Sequence, residues 1–152
     1  MNPLHNIHSI YFIGIGGIGM SALARFALKK NLAVFGYDKT ATALTSTLEK
    51  EGAVITFVDS LVALPQQVKN NTNTLVVYTP AIPEDNKIMQ WFTRQDHKVI
   101  KRSEFLGALT QDTLCLAVAG THGKTTTSAI LGHLLASVSY THLRAHETHN
   151  DL

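Results

Sequence analysis

The chain is poor in several residue types, and each shortage excludes something. Its 152 residues include a single cysteine, Cys115, so no disulfide can close within the chain and no cysteine cluster can hold a metal. A reducing compartment suits such a protein. Charged residues amount to 16%, with 13 Lys and Arg against 11 Asp and Glu, and no basic run exceeds pairs such as Lys29-Lys30 and Lys101-Arg102. The electrostatic footprint of a nucleic-acid binder or of an anionic-membrane binder is therefore missing. Nor does any window approach the roughly 20 apolar residues of a membrane span. The opening MNPLHNIHS has neither the basic region nor the apolar stretch of a secretory signal. A cytoplasmic, soluble protein is expected, without low-complexity tracts or tandem repeats.

A hydrophobic content of 45% is that of a chain with a packed core. The length suits one domain, or one domain and part of another. From Ser9 onward, short β-branched or aromatic runs alternate with stretches of helical spacing, the pattern of a parallel sheet with crossover helices. Strands are predicted at 9–15, 32–37, 53–58, 74–79 and 98–101. Helices are predicted at 19–30, 41–51, 60–68 and 84–95, followed by one capped by Ser103 and running to Leu109. Asn31 and Gly52 stand where helices should stop, and Pro65 makes the helix at 60–68 uncertain inside. Trp91 and Phe92 are expected in the core.

After Gln111-Asp112 the pattern starts again, with a strand at 113–120 burying Cys115, a glycine-containing loop, and a helix from Lys124 to about Ala136. One strand, loop and helix cannot bury a core alone. The expected organisation is thus an α/β, Rossmann-like, doubly wound parallel-sheet domain over residues 1–110. The first strand, phosphate loop and helix of a truncated ATP-binding α/β domain follow over 111–137. Residues 138–152 show no helical or strand periodicity. His142, His146 and His149 with Glu147 in that tail lack the ordered framework zinc requires. His5, His8, His97 and His133 read as surface or helix-face residues.

Two loops carry chemistry. Gly14-Ile15-Gly16-Gly17-Ile18-Gly19 satisfies G-x-G-x-x-G between a strand and a helix. In that setting Gly14 and Gly16 allow a tight turn and close backbone approach, Gly19 allows helix and strand to pack closely, and the helix start attracts a diphosphate. Asp38 ends the second strand 19 residues after Gly19. There it is either an acceptor for ribose hydroxyls, which would make NAD the obvious ligand, or simply the cap of the next helix. The second loop, Gly120-Thr121-His122-Gly123-Lys124-Thr125-Thr126, resembles a P-loop shortened by having Val118 where the first Walker glycine would stand. Its Lys124 suits β- and γ-phosphates and its Thr125 hydroxyl suits Mg²⁺. His122 shapes the loop or touches a ligand. Two phosphate cradles of different type fit a two-substrate ATP user better than a dehydrogenase.

YFIGIGGIGMSALARF, GYD, VVYTPAIP, KRSEFLG and above all VAGTHGKTTT are similar to the Mur ligases of bacterial peptidoglycan synthesis, over residues 8 to about 135. The GIGGIGMS loop points to the alanine-adding branch or to its close relative that recycles murein tripeptide. The resemblance implies a first domain that binds UDP-N-acetylmuramate. Gly14, Ile15, Gly16, Gly17, Ile18, Gly19, Met20 and Ser21 would lie about its diphosphate and Asp38 near its uridine, with Thr79, Pro80, Ala81 and Ile82 lining the same ligand.

It implies further that Gly120 to Thr126 hold ATP, with Lys124 neutralising phosphate charge and Thr125 on Mg²⁺. ATP would activate the muramyl carboxylate as an acyl phosphate, which the amine of L-alanine attacks. Family members continue well past position 137 into further ATP-site residues and an amino-acid-binding domain. This chain is accordingly expected to bind UDP-sugar without turnover. A non-catalytic NAD-binding regulatory module remains the alternative, though it has no use for the second loop.

Overall fold

The computed structural model describes residues 7–71, 73–111 and 114–147, residues 139–147 by their backbone alone. The chain divides into two compact units, Met1–Thr113 and Leu114–Leu152.

In the first unit β1 (Ser9–Ile13), β2 (Ala33–Tyr37), β3 (Val54–Thr56), β4 (Thr74–Tyr78) and β5 (Lys98–Lys101) form one sheet in the order β3-β2-β1-β4-β5. All four pairings are parallel. Such a sheet needs a helical layer on each face, and the side chains of β1 show both. Ile10 and Phe12 point to a cluster with Met20, Leu23, Ala24 and Ala27 of α1 (Ile18–Lys29), Leu48 of α2 (Ala43–Lys50) and Phe105 of α5 (Arg102–Gln111). Tyr11 and Ile13 point to the opposite cluster, with Val68 of α3 (Gln66–Lys69) and Ile88 and Phe92 of α4 (Lys87–Arg94). All of β1 is buried. The outer strands are short and half-wet: β3 has three residues and β5 carries lysine at both ends, a common protection for a sheet edge.

The doubly wound fold expected from the sequence is present, with local differences. Asn31 ends α1 in the left-handed region at φ 59°, and Gly52 follows α2 at φ 109°. The single helix expected at 60–68 is split at Pro65 into a 3₁₀ turn, Leu61–Ala63, and the four-residue α3, because proline has no amide to continue the first segment. Ser103 is no cap, since α5 begins at Arg102 directly from β5. Phe92 is fully buried as expected, while Trp91 and His97 are half-buried. The two rings meet at a centroid distance of 5.5 Å.

The second unit departs further. Residues 114–119 belong to no sheet, and Cys115 is exposed rather than buried. A strand is buried by neighbours on its edges and a layer on its face, and the described residues of this unit include no strand. Its helix, α6 (Lys124–Glu147), runs well beyond Ala136. Residues 137–147 contain neither glycine nor proline, so nothing stops the helix, although its residues have no amphipathic order. His142 and His146 lie on this stretch, and His149 falls outside the described residues, as does His5.

Candidate functional site

The strand order reverses between β1 and β4, and in open α/β sheets ligands sit at such a point, outside the carboxyl ends of the strands. A cleft of about 780 Å³ lies there. All five strands deliver residues to it: Gly14 after β1, Asp38 after β2, Asp59 after β3, Thr79 after β4 and Arg102 after β5.

The glycine turn is tied to the end of β2. Gly14 and Ile15 both donate to the Tyr37 carbonyl, at 2.7 and 3.1 Å, and Gly17 donates to the Gly14 carbonyl at 3.3 Å. Gly14 has φ 87°, and a Cβ there would stand 2.7 Å from the Thr79 Cγ2. Its lack of a side chain therefore serves both the turn and the approach of the TPAI segment. Gly16 donates its amide to Asp38 Oδ2 at 2.7 Å, and Thr40 donates to Asp38 Oδ1 at 3.1 Å. Asp38 is thus a clamp on the glycine loop, with each carboxylate oxygen already accepting a backbone amide.

Gly19 has a different role from the one its spacing suggests. The space beside it is filled not by a strand but by the Arg102 guanidinium. Close strand packing is the task of Gly36 in β2, where a Cβ would meet Ile15 Cδ1 at 2.7 Å and the Phe12 carbonyl at 2.9 Å.

Of the residues singled out in the sequence, Gly14, Gly16, Gly17, Ile18, Gly19, Met20, Asp38, Thr79, Ala81 and Ile82 line the cleft. Ile15 is fully buried against the sheet, and Ser21 is buried with its hydroxyl donating to the Ile18 carbonyl at 2.9 Å. Neither they nor Pro80 form part of the cleft wall.

Lys39, Asp59, Asp85 and Asn86 line it without any motif to announce them, and Tyr37 and Arg102 line it from the GYD and KRSEFLG strings, where the resemblance assigns them no role. Two of these hold the start of α4: Asp59 accepts from the amides of Lys87 and Ile88, both at 3.0 Å, and Asn86 accepts from Met89 at 2.8 Å. Burial, then Asp59 and Asp38, raise the Tyr37 phenol above its ordinary pKa. Behind it Tyr11 is fully buried, and its hydroxyl has no hydrogen-bond partner. Burial, then Asp59 and Tyr37, keep that phenol protonated far into the alkaline range.

In the second unit the loop before α6 turns on Gly120 at φ 149° and Gly123 at φ 77°. Lys124 folds back to donate to the carbonyls of Gly120 at 2.7 Å and Thr121 at 3.2 Å. His122 Nδ1 lies 3.2 Å from the Thr121 hydroxyl, so the histidine touches the loop itself. Gly123 accepts from the Thr127 amide at 2.9 Å, which starts the helix. Thr125 and Thr126 stand exposed on its first turn. This is an open loop with a lysine poised over its centre, the shape a phosphate chain needs. Among the described residues no group of three or more His, Cys, Asp or Glu is placed to hold a metal, and no helix is long and apolar enough to cross a membrane.

The family model for the Mur ligase family, catalytic domain, matches residues 9–113. The chain belongs to the Mur ligase family.

Among curated Mur ligases it is 52% identical over 136 residues to the UDP-N-acetylmuramate--L-alanine ligase of Christiangramia forsetii, covering 89% of this chain and 30% of that protein. The same-named ligase of Flavobacterium psychrophilum is 53% identical over 132 residues, with 87% and 29% covered. Among solved structures, the UDP-N-acetylmuramate-alanine ligase of Thermotoga maritima superposes with a TM-score of 0.76 at 32% identity, over 86% of this chain and 30% of that one. A murein peptide ligase from Psychrobacter arcticus also gives 0.76, at 26% identity over 87% of this chain and 27% of its own. The chain spans about 30% of the length of the curated relatives it matches.

Proposed function

We propose that the first unit binds UDP-N-acetylmuramate and that the chain serves an ATP-dependent cytoplasmic ligase of peptidoglycan precursor synthesis, which joins L-alanine to that UDP-sugar through an acyl phosphate. The observation that carries the reading is the state of Asp38. A dinucleotide site presents this carboxylate to ribose hydroxyls, whereas here both oxygens accept backbone amides from Gly16 and Thr40. The cleft is then a phosphate-and-nucleotide groove in which the amides at the start of α1 face the diphosphate. The names of the relatives at 47–53% identity favour the alanine-adding reaction over murein tripeptide recycling.

The second loop fits a nucleotide triphosphate. Its glycines have backbone angles that leave the turn open, and Lys124, now held by two carbonyls, carries the charge that phosphate oxygens require. Gly120, Thr121, His122, Gly123, Lys124, Thr125 and Thr126 would hold ATP, with Lys124 as the catalytic cation and the Thr125 hydroxyl on Mg²⁺. When bound, ATP supplies the phosphoryl group that activates the muramyl carboxylate. The contribution of the chain's own residues is positioning and charge stabilisation.

The test is calorimetric titration of the chain with UDP-N-acetylmuramate and, separately, with NAD. The expected result is binding of the UDP-sugar and none of NAD, unchanged in Lys124→Ala because that residue belongs to the other loop. NAD binding without UDP-sugar binding would overturn the assignment in favour of a dinucleotide module.

A further inference from the structure

We propose that the second unit joins two copies of this chain, with residues 114–119 of one copy antiparallel beside the same residues of the other and both α6 helices packed on the ribbon so formed. The surface lies outside the cleft, and the inference stands whether or not the cleft takes a UDP-sugar.

The surface is apolar and carries no charge to repel its own copy. Between Thr113 and Leu143, Lys124 is the single Lys, Arg, Asp or Glu. Leu114, Leu116 and Val118 share a groove of about 350 Å³ with Leu131, Gly132 and Leu135 of α6. Alternate residues of a strand occupy one face, so the run already has the pattern of a strand set against a helix. Ile130 and Leu134, one turn apart, widen the helix side of the groove. Leu114 is 93% exposed, and Leu116, Ile130, Leu134 and Leu135 are 49–57% exposed. No atom stands within 4 Å of where a Cβ on Gly132 would be, which leaves room for a close neighbour.

The backbone points to the same occupant. Residues 114–119 belong to no sheet, and the described residues of this unit include no strand. Unpaired strand edges seek other chains, and proteins guard them with charge. In the first unit β5 has lysine at both ends, whereas residues 114–119 have no charged side chain. A two-fold axis through Leu116 pairs the run with itself antiparallel. Leu116 then faces its own copy, and Leu114 faces Val118 on the side that α6 covers. Cys115, which is exposed, becomes the diagonal neighbour of its copy at about 7–8 Å.

The area suits a small, reversible interface. The five exposed aliphatic side chains bare the equivalent of about three free ones, roughly 300 Å² at about 100 Å² apiece. The exposed Cys115, Ala117 and Ala129, with the ladder backbone, bring each copy to on the order of 500 Å². A pair then buries about 1,000 Å², the lower bound for a specific interface.

The experiment is sedimentation velocity of the full chain under reducing conditions, from about 1 to 100 µM, the range in which a small interface shows its equilibrium. A reversible monomer–dimer equilibrium is expected. Leu134→Glu and Leu116→Asp should each weaken the dimer by at least about tenfold, because each buries charge in the covered face. An equimolar mixture of Leu116→Asp and Leu116→Lys should dimerise more tightly than either variant alone, since opposite charges then meet across the axis. Val62→Glu, on a 91% exposed apolar position of the first unit, should leave the equilibrium unchanged. A short bis-maleimide should join Cys115 to its copy, and Cys115→Ser should abolish the product. Circular dichroism and Trp91 emission confirm that α6 and the first unit are retained in each variant.

A monomer across the whole range overturns the inference, as does a dimer that survives both Leu134→Glu and Leu116→Asp or one that Val62→Glu abolishes. Larger assemblies without a dimer overturn it too, because an open-ended contact is not a two-fold one. A mixture of the two Leu116 variants that stays monomeric overturns the antiparallel pairing through Leu116.

Discussion

Asp38→Asn separates two accounts of one carboxylate. In the folded chain its oxygens accept the Gly16 amide at 2.7 Å and the Thr40 amide at 3.1 Å. Asparagine has the same shape but one acceptor, so the variant keeps one neutral bond and turns an NH₂ group toward the other amide. Hydrogen bonds to a charged group contribute about 1.5–3 kcal/mol each, and neutral ones about 1. With two charge-assisted bonds lost and one neutral bond kept, the variant loses about 2–5 kcal/mol. For a unit of about 100 residues, 1 kcal/mol corresponds to roughly 4 °C in Tm, so the midpoint should fall by about 8–20 °C.

The assay follows from the sequence, because Trp91 is the chain's one tryptophan and lies on α4, packed against Phe92 at 5.0 Å. Its fluorescence reports the first unit without interference from the second. A Tm within about 2 °C of wild type, far below that expected shift, combined with weakened ligand binding, would refute the clamp. It would show instead a carboxylate held available for ligand hydroxyls.

Two further perturbations test the packing around the cleft. Tyr11→Phe removes a buried hydroxyl that has no partner and should raise stability by about 1 kcal/mol in urea. The wild-type phenol stays protonated in the fold, mainly through burial, while its unfolded counterpart titrates near pH 10. The unfolded state then binds fewer protons, so wild-type stability should hold below about pH 10 and fall above it, and Tyr11→Phe should make that decline shallower. Equal alkaline slopes would count against the assignment. Gly36→Ala places a Cβ 2.9 Å from the Phe12 carbonyl and should cost about 1–3 kcal/mol by overpacking. At Gly17 the nearest atom to a Cβ is 3.6 Å away, and alanine there should be nearly neutral. Indistinguishable urea midpoints for these two variants would disprove the packing role of Gly36.

What could be read in the sequence followed from how local each signal is. β1, β2 and β4 announce themselves because four or five successive side chains of each are buried or nearly so, and burial on both faces writes an unbroken apolar run. The glycine turn and the lysine loop are contiguous strings, legible for the same reason. Gly19 illustrates the limit: its spacing matches a motif, yet its neighbour is an arginine 83 positions away in sequence, which only the folded sheet brings near. Asp59 is invisible in the sequence on the same ground, and Arg102, though it stands in the KRSEFLG string, has nothing local to mark it as part of the cleft. Cys115 was placed in a buried strand because the apolar run around it is real, but burial requires partners that lie outside the run itself.

The cleft's walls come from turns at residues 14, 38, 59, 79 and 102, one from the end of each strand. Any two strands supply only two of those five turns. Recognition of any ligand there is therefore a property of the completed sheet, and a partly folded chain presents no such cleft. By linkage, the free energy of any ligand in the cleft is distributed over every strand, since binding the native state alone adds RT ln(1 + [L]/Kd) to the stability of the whole. A saturating ligand should accordingly slow amide exchange as much in β3 and β5, at the two borders of the sheet, as in β1 at its centre, wherever exchange proceeds through global opening.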